Sequence, residues 1–279
     1  MTRLLQTFRL AVLLALIIGA ISNGAAADRS IVVASTTSTQ DSGFFDYILP
    51  IVKGRLGITV KVVAQGTGQA LDTARRGDAD VVFVHAKTAE LQFIAEGESL
   101  KRYPVMYNDF VLIGSRADPA GVKGSKDIRE ALASIKNQRA LFISRGDRSG
   151  THMAELALWR DSGVDIEQAK GTWYESIGQG MGAALNVASA SEAYVLSDRA
   201  TWVHFKSKGD LEILVEGDKR LFNQYGIMLV NPQKHPTVKT ALAQEFIDYL
   251  ISPVGQQDIA HYMVDGQQLF YPDANDPNA

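Results

Sequence analysis

The sequence contains no cysteine among its 279 residues, which excludes disulfide staples, thiolate metal centres and a lipid-bearing cysteine behind an export signal. It has no surplus of positive charge either: 28 Lys and Arg stand against 31 Asp and Glu, a formal charge of −3. Bulk attraction to nucleic acid or to an anionic membrane is thereby excluded, and an anionic partner would have to be held by local groups. The apolar run Leu10 to Ile21 has 12 residues, short of the roughly 20 that span a bilayer. The five histidines, at 85, 152, 204, 235 and 261, show no metal-ligand spacing, so no cation site is expected. Repeats, charge blocks and low-complexity tracts are absent as well.

What is present begins with an export pattern. Arg3 and Arg9 precede the apolar run, and Ala25-Ala26-Ala27 follows it, which predicts a secretory signal peptide over residues 1–27, cleaved after Ala27. Setting it aside removes two Arg and no acid, so 26 basic side chains face 31 acidic ones and the charge becomes −5. The mature protein is expected free in a bacterial periplasm.

From Ser30 onward short β-branched runs alternate with helix-period segments, which predicts an α/β fold. Expected strands are Ile31–Ala34, Ile58–Ala64 and Asp80–Val84. A helix is expected over Ser42–Val52 with Pro50 bending or ending it and a turn from Gly54 to Gly57; another covers Gly68–Arg76. Two extended runs, Tyr107–Gly114 and Tyr225–Pro232, bracket a second α/β segment. This pattern predicts two lobes, each a mostly parallel sheet flanked by helices, joined by two hinge crossings. The expected boundaries are 28–110 for the first part of lobe 1, 111–225 for lobe 2, and 226–279 for the return to lobe 1 with the C-terminal helices. A ligand would sit in the cleft between lobes.

Three Ser/Thr/Gly clusters occupy equivalent strand-to-helix junctions: Ser35-Thr36-Thr37-Ser38-Thr39, Gln65-Gly66-Thr67-Gly68, and Ser144-Arg145-Gly146-Asp147-Arg148-Ser149-Gly150-Thr151. Helix N-termini at strand ends offer unpaired N–H groups and a partial positive charge, and thus hold an anion without net charge. Helix capping alone explains one hydroxyl per cluster, and these clusters carry more. Arg145 would be either a surface ion pair, worth at most about 1 kcal/mol, or a donor to an oxyanion, worth roughly 1.5–3 kcal/mol. Other features stay bland. Arg145-Gly146-Asp147 as an adhesion tripeptide, Gly178-Gln179-Gly180-Met181-Gly182 as a dinucleotide loop and Ser149 as a hydrolase nucleophile all lack their required context. Tyr194 and the Asp198-Arg199 pair fit a place beside the cleft or a core tyrosine and a surface ion pair equally well. His152 follows Thr151 and falls near the third cluster.

These clusters, with Gly66-Thr67-Gly68-Gln69-Ala70-Leu71, Asp78-Ala79-Asp80-Val81 and Gly178-Gln179-Gly180-Met181-Gly182, closely resemble the tungstate-binding periplasmic components of ABC transporters, within the type II periplasmic solute-binding proteins. The likeness runs from about Ile31 to Tyr262. It implies a non-enzymatic receptor without cofactor, binding tungstate first and molybdate second and passing it to an ABC permease in the inner membrane, with Thr36, Thr37, Ser38, Thr67, Arg145, Ser149 and Thr151 around the oxyanion. The chain is expected to be monomeric, with no nucleic-acid partner. Ser35 stands where the family run usually has Thr. A phosphate receptor, whose third loop is similar, and an exported enzyme acting on a phosphorylated or sulfated small molecule are the competing readings.

Overall fold

A computed structural model describes residues 28–276; the expected export signal, residues 1–27, lies outside them. In chain order the elements are β1 (Ser30–Thr36), α1 (Thr37–Asp41), α2 (Phe44–Leu56), β2 (Thr59–Gln65), α3 (Thr67–Arg75), β3 (Val81–Val84), α4 (Lys87–Ala95) and β4 (Arg102–Ser115). Then come α5 (Ile128–Gln138), β5 (Phe142–Ser144), α6 (Gly150–Asp161), β6 (Tyr174–Ser176), α7 (Met181–Ser191), β7 (Tyr194–Asp198), α8 (Arg199–His204) and β8 (Leu211–Val215). The chain closes with β9 (Phe222–Leu229), α9 (Thr240–Ile251), α10 (Pro253–Ala260) and the short strands β10 (Met263–Val264), β11 (Gln267–Gln268) and β12 (Tyr271–Pro272).

Strands β1, β2 and β3 pair in parallel, with β1 in the middle. Because helices cover both faces, β1 and β3 are apolar on both sides: Ile31, Val33, Val81 and Phe83 join one buried cluster, and Ala34, Val82 and Val84 join another. Helix α2 departs from expectation. It starts at Phe44, runs through Pro50 and Gly54, and ends at Leu56, where Gly57 at φ 67° donates its N–H to Lys53. Pro50 is exposed while Phe44, Phe45, Ile48 and Val52 are buried, so packing of the apolar face outweighs one missing backbone bond.

Strand β4 is 14 residues long, longer than its eight-residue apolar signature. Its first part, Arg102 to Asp109, pairs antiparallel with β9; from Phe110 onward it pairs antiparallel with β7 and β8. The sheet order is β2-β1-β3-β9-β4-β7-β5-β6. Parallel pairing is confined to β1–β3 and to β5, β6 and β7, so the sheet is mixed and not mostly parallel. The reason is that β4 and β9 pass between the two halves in opposite directions and pair with each other. Beyond Phe110 the second half packs Leu112, Leu132, Phe142, Trp159, Trp173, Tyr174 and Tyr194 around its own core.

One carboxyl lies inside that second core. Glu155 of α6 is buried and accepts from Ser144 Oγ (2.8 Å), Trp159 Nε1 (3.1 Å) and Tyr174 Oη (2.6 Å). Burial nevertheless outweighs these three donors and raises its pKa to about 7. An unfolded glutamate protonates near 4.5, so the folded chain holds the extra proton between those values. This contribution to stability is complete below pH 4.5 and is lost as pH rises through 7. Glu155→Gln keeps the three contacts and removes the charge. We expect it to raise the melting temperature at pH 8 by about 5 °C, and this gain to shrink at pH 5 when followed by circular dichroism. An equal gain at both pH values would contradict the assigned protonation.

Candidate functional site

Five strand-to-helix junctions converge at the carboxyl ends of the parallel strands: β1 to α1, β2 to α3 and β3 to α4 in the first half, β5 to α6 and β6 to α7 in the second. In open α/β sheets ligands gather at such strand ends. Arg145, which follows β5, reaches across to the first half, donating from Nη2 to Thr37 Oγ1 (2.8 Å) and from Nη1 to Ser38 Oγ (3.3 Å). It is 1% exposed, so the surface ion pair considered for it does not occur. Its partner within the loop is Asp147, at 2.6 Å. Burial works against the Asp147 charge, but the Arg145 guanidinium and the bonds from Ser149 outweigh it and hold the carboxyl below its usual range.

The remaining candidates fall into two groups. Thr36 and Ser149 are helix caps: Thr36 Oγ1 accepts from Thr39 N (3.2 Å) and Ser149 Oγ from His152 N (3.1 Å). Thr67 and Ser38 are fully buried and Thr151 nearly so. Seven buried side-chain polar atoms among the described residues have no hydrogen-bond partner within the chain. Three of these belong to the site loops: Thr67 Oγ1, Thr151 Oγ1 and Arg145 Nε. An unsatisfied buried polar group costs about 1–3 kcal/mol, and three on the converging junction loops suit donors prepared for a bound acceptor. Ser35 is different: its hydroxyl donates to Phe83 O (2.6 Å) and ties β1 to β3, so it is occupied structurally.

The glycine-rich loop before α7 borders the same place, with a Cβ at Gly180 lying 3.7 Å from Thr37 Oγ1. Tyr194 does not: it lies in the second core and its hydroxyl bonds Asp118 Oδ1 and Ala120 N. Asp198 and Arg199 do not pair. Asp198 is buried and caps α8 through Thr201 N (2.9 Å), its pKa raised by burial to about 6, while Arg199 binds Asp109 and Glu216. His152 is half-buried, and its Nδ1 accepts from Arg148 N (3.0 Å).

His85, which directly follows β3, is the residue that the Ser/Thr/Gly pattern overlooks. Its Nε2 lies 3.2 Å from Ser38 Oγ and its Nδ1 3.0 Å from Asn223 Oδ1, whose amide nitrogen donates to Asn108 Oδ1 (2.7 Å). Asn108 and Asn223 face each other on β4 and β9. Burial drives the His85 pKa down to about 4, so the ring is neutral at pH 7. With Nδ1 donating to Asn223, Nε2 accepts from Ser38. The signal that could have found it is position: a polar residue at the end of an uninterrupted apolar strand, at the same junction as the other clusters. Among the described residues no group of three or more His, Cys, Asp or Glu is placed to hold a cation.

Comparison with known proteins gives the family. Residues 22–254 match the family model of the PBP superfamily domain. The chain is 46% identical over 252 residues to the tungstate-binding protein TupA of Peptoclostridium acidaminophilum, covering 89% of this chain and 87% of that one. It is 43% identical over 265 residues to a putative ABC transporter anion-binding protein of Haloferax volcanii, covering 93% and 77%. The crystal structure of the tungstate ABC transporter from Geobacter sulfurreducens is 48% identical and superposes with a TM-score of 0.77 over 85% of this chain and all of that one. The chain belongs to the PBP superfamily, in the family that contains the TupA tungstate-binding proteins.

Proposed function

We propose that this protein is the solute-binding component of an ABC transporter, exported to the periplasm, that captures a tetrahedral oxyanion between its two halves and delivers it to a membrane permease. Tungstate is the first ligand and molybdate the second. The observation that carries the reading is the trio of partnerless atoms, Thr67 Oγ1, Thr151 Oγ1 and Arg145 Nε, all able to donate and drawn from both halves. Thr37 would share the anion with them through its hydroxyl and Ser38 through its main-chain N–H at the start of α1, since the Ser38 hydroxyl donates to His85, while Thr36 and Ser149 open the helices behind it. The two halves act as hinged lobes, with β4 and β9 as the crossings, and no catalytic group is required.

A fully deprotonated dianion is met by donors alone, whereas a protonated phosphate also needs an acceptor; each Asp147 oxygen already accepts one bond, from Arg145 and from Ser149 N (3.1 Å). The preference for tungstate over molybdate follows the relatives, since the two ions share charge and geometry. No helix among the described residues is long and apolar enough to cross a membrane.

Calorimetry on residues 28–279 with tungstate, molybdate, sulfate and phosphate tests the reading. Nanomolar phosphate binding without a tungstate response would sink it. Thr67→Val and Thr151→Val sharpen the test, because each removes a hydroxyl that bonds nothing within the chain. Affinity is expected to fall about fivefold to tenfold per substitution, with the melting temperature of the anion-free protein unchanged or higher. Lower stability with unchanged affinity would show that these hydroxyls serve the fold alone.

A further inference from the structure

Two glycines face each other's halves across the cleft, each placed where a side chain would strike the opposite half. A Cβ at Gly66 would lie 2.7 Å from the carbonyl oxygen of Asp147. A Cβ at Gly150 would lie 2.8 Å from His85 Cε1, 2.9 Å from its Nδ1 and 3.0 Å from its carbonyl oxygen. Neither position needs glycine for its own backbone. Gly66 has φ −69° and ψ 150°, open to any residue, and Gly150 begins α6 without a left-handed torsion. Gly146, four residues earlier, does need its φ of 65°.

The obstacles are also unable to yield. At Gly66 the atom met is main chain. At Gly150 the His85 ring is bonded at both nitrogens and stacked on Tyr225, with 4.7 Å between ring centres. The collisions are reciprocal, first half against second and second against first, so what both glycines permit is the separation between the halves.

We infer that Gly66 and Gly150 set how far the cleft closes, and through closure the affinity for the anion. Thr67 and Thr151 are their immediate neighbours, so holding the halves apart to admit one methyl group draws both partnerless hydroxyls away from a shared anion. Hydrogen bonds weaken steeply when stretched or misaligned. The inference rests on the oxyanion-receptor reading and adds the contacts that limit closure.

The test compares Gly66→Ala, Gly150→Ala and the double variant with the unaltered protein by calorimetry against tungstate, molybdate, sulfate and phosphate. Small-angle scattering with and without anion gives the shape change. Gly54→Ala, on α2 where a Cβ meets nothing within 4 Å, is the control. Each cleft variant is expected to bind about tenfold to a hundredfold more weakly and to compact less on adding anion. The double variant should be weaker than either, and the anion-free melting temperatures should stay close to that of the unaltered protein. Affinities within about twofold of the unaltered protein for both single variants would overturn the inference. The comparison uses whichever dianion the unaltered protein binds, so a preference for phosphate would correct the ligand reading and leave this result readable. Conversely, normal tungstate binding by all variants would leave the ligand reading standing and remove only the role given to the glycines.

Discussion

Arg145→Ala is expected to weaken oxyanion binding about a thousandfold in calorimetry on the folded protein. Two losses combine. The anion loses a charged donor, worth roughly 1.5–3 kcal/mol. Asp147 also loses its partner at 2.6 Å and becomes an uncompensated negative charge beside a dianion. Breaking a buried pair costs the fold about 3–5 kcal/mol; repulsion of the anion by the stranded carboxylate, at about 1–2 kcal/mol, brings the loss of binding energy to about 4 kcal/mol, and each 1.4 kcal/mol is tenfold in affinity. Arg145→Lys should recover little, because an ammonium cannot span Thr37, Ser38 and Asp147 at once as the guanidinium does. Adding Asp147→Asn to Arg145→Ala should restore about tenfold or more by removing the stranded charge. An Arg145→Ala protein that melts normally and binds within about threefold of wild type would show that Arg145 does not touch the anion.

The largest loss of stability is expected from Glu90→Ala. Glu90 is completely buried and Arg102 nearly so; Arg102 Nε donates to Glu90 Oε2 at 2.6 Å, and Ala86 N donates to Oε1 at 2.6 Å. Burial pushes the Glu90 carboxyl up, and the Arg102 charge pulls it back. Arg102 Nη2 already has no partner, so truncating Glu90 leaves a buried guanidinium without its counter-charge. The expected destabilisation is about 3–5 kcal/mol, roughly 6–20 °C in melting temperature. Glu90→Gln, which can still accept from Ala86 N, should cost less than half of that. A melting temperature for Glu90→Ala within about 2 °C of wild type would refute the assignment. Because Glu90 also fixes Ala86, next to His85, the alanine variant should loosen the floor of the cleft.

The parts of this molecule legible in the sequence are those decided locally. Strand-to-helix junctions announce themselves through hydroxyls and glycines, and so the loops carrying Thr37, Ser38, Thr67, Arg145 and Thr151 stand out before any coordinates. Apolar runs such as Val81 to Val84 mark fully covered strands. What escapes is decided by register between distant segments. Asn108 and Asn223 are ordinary polar residues in sequence, and only the pairing of β4 with β9 makes them opposite partners that hold His85. Adjacent Asp198 and Arg199 suggest an ion pair, yet Asp198 is turned inward to cap α8 and Arg199 outward to Asp109. Helix α4 is masked because its apolar positions divide between the buried Phe93 and the half-exposed Leu91. Helix α2 continues past Pro50 because the burial of Val52, one turn beyond the proline's own turn start, is a tertiary fact.

Strand β4 has a further consequence. Its residues Arg102 to Asp109 complete the first half-sheet and Phe110 to Ser115 complete the second. An apolar cluster continues across it from Phe44 and Phe83 to Met181 and Leu185. Neither half owns an intact edge without the other: unravelling one would strip ladder bonds and covering side chains from its neighbour. The two halves are thus bound into one cooperative folding unit, and neither makes a natural fragment for separate expression.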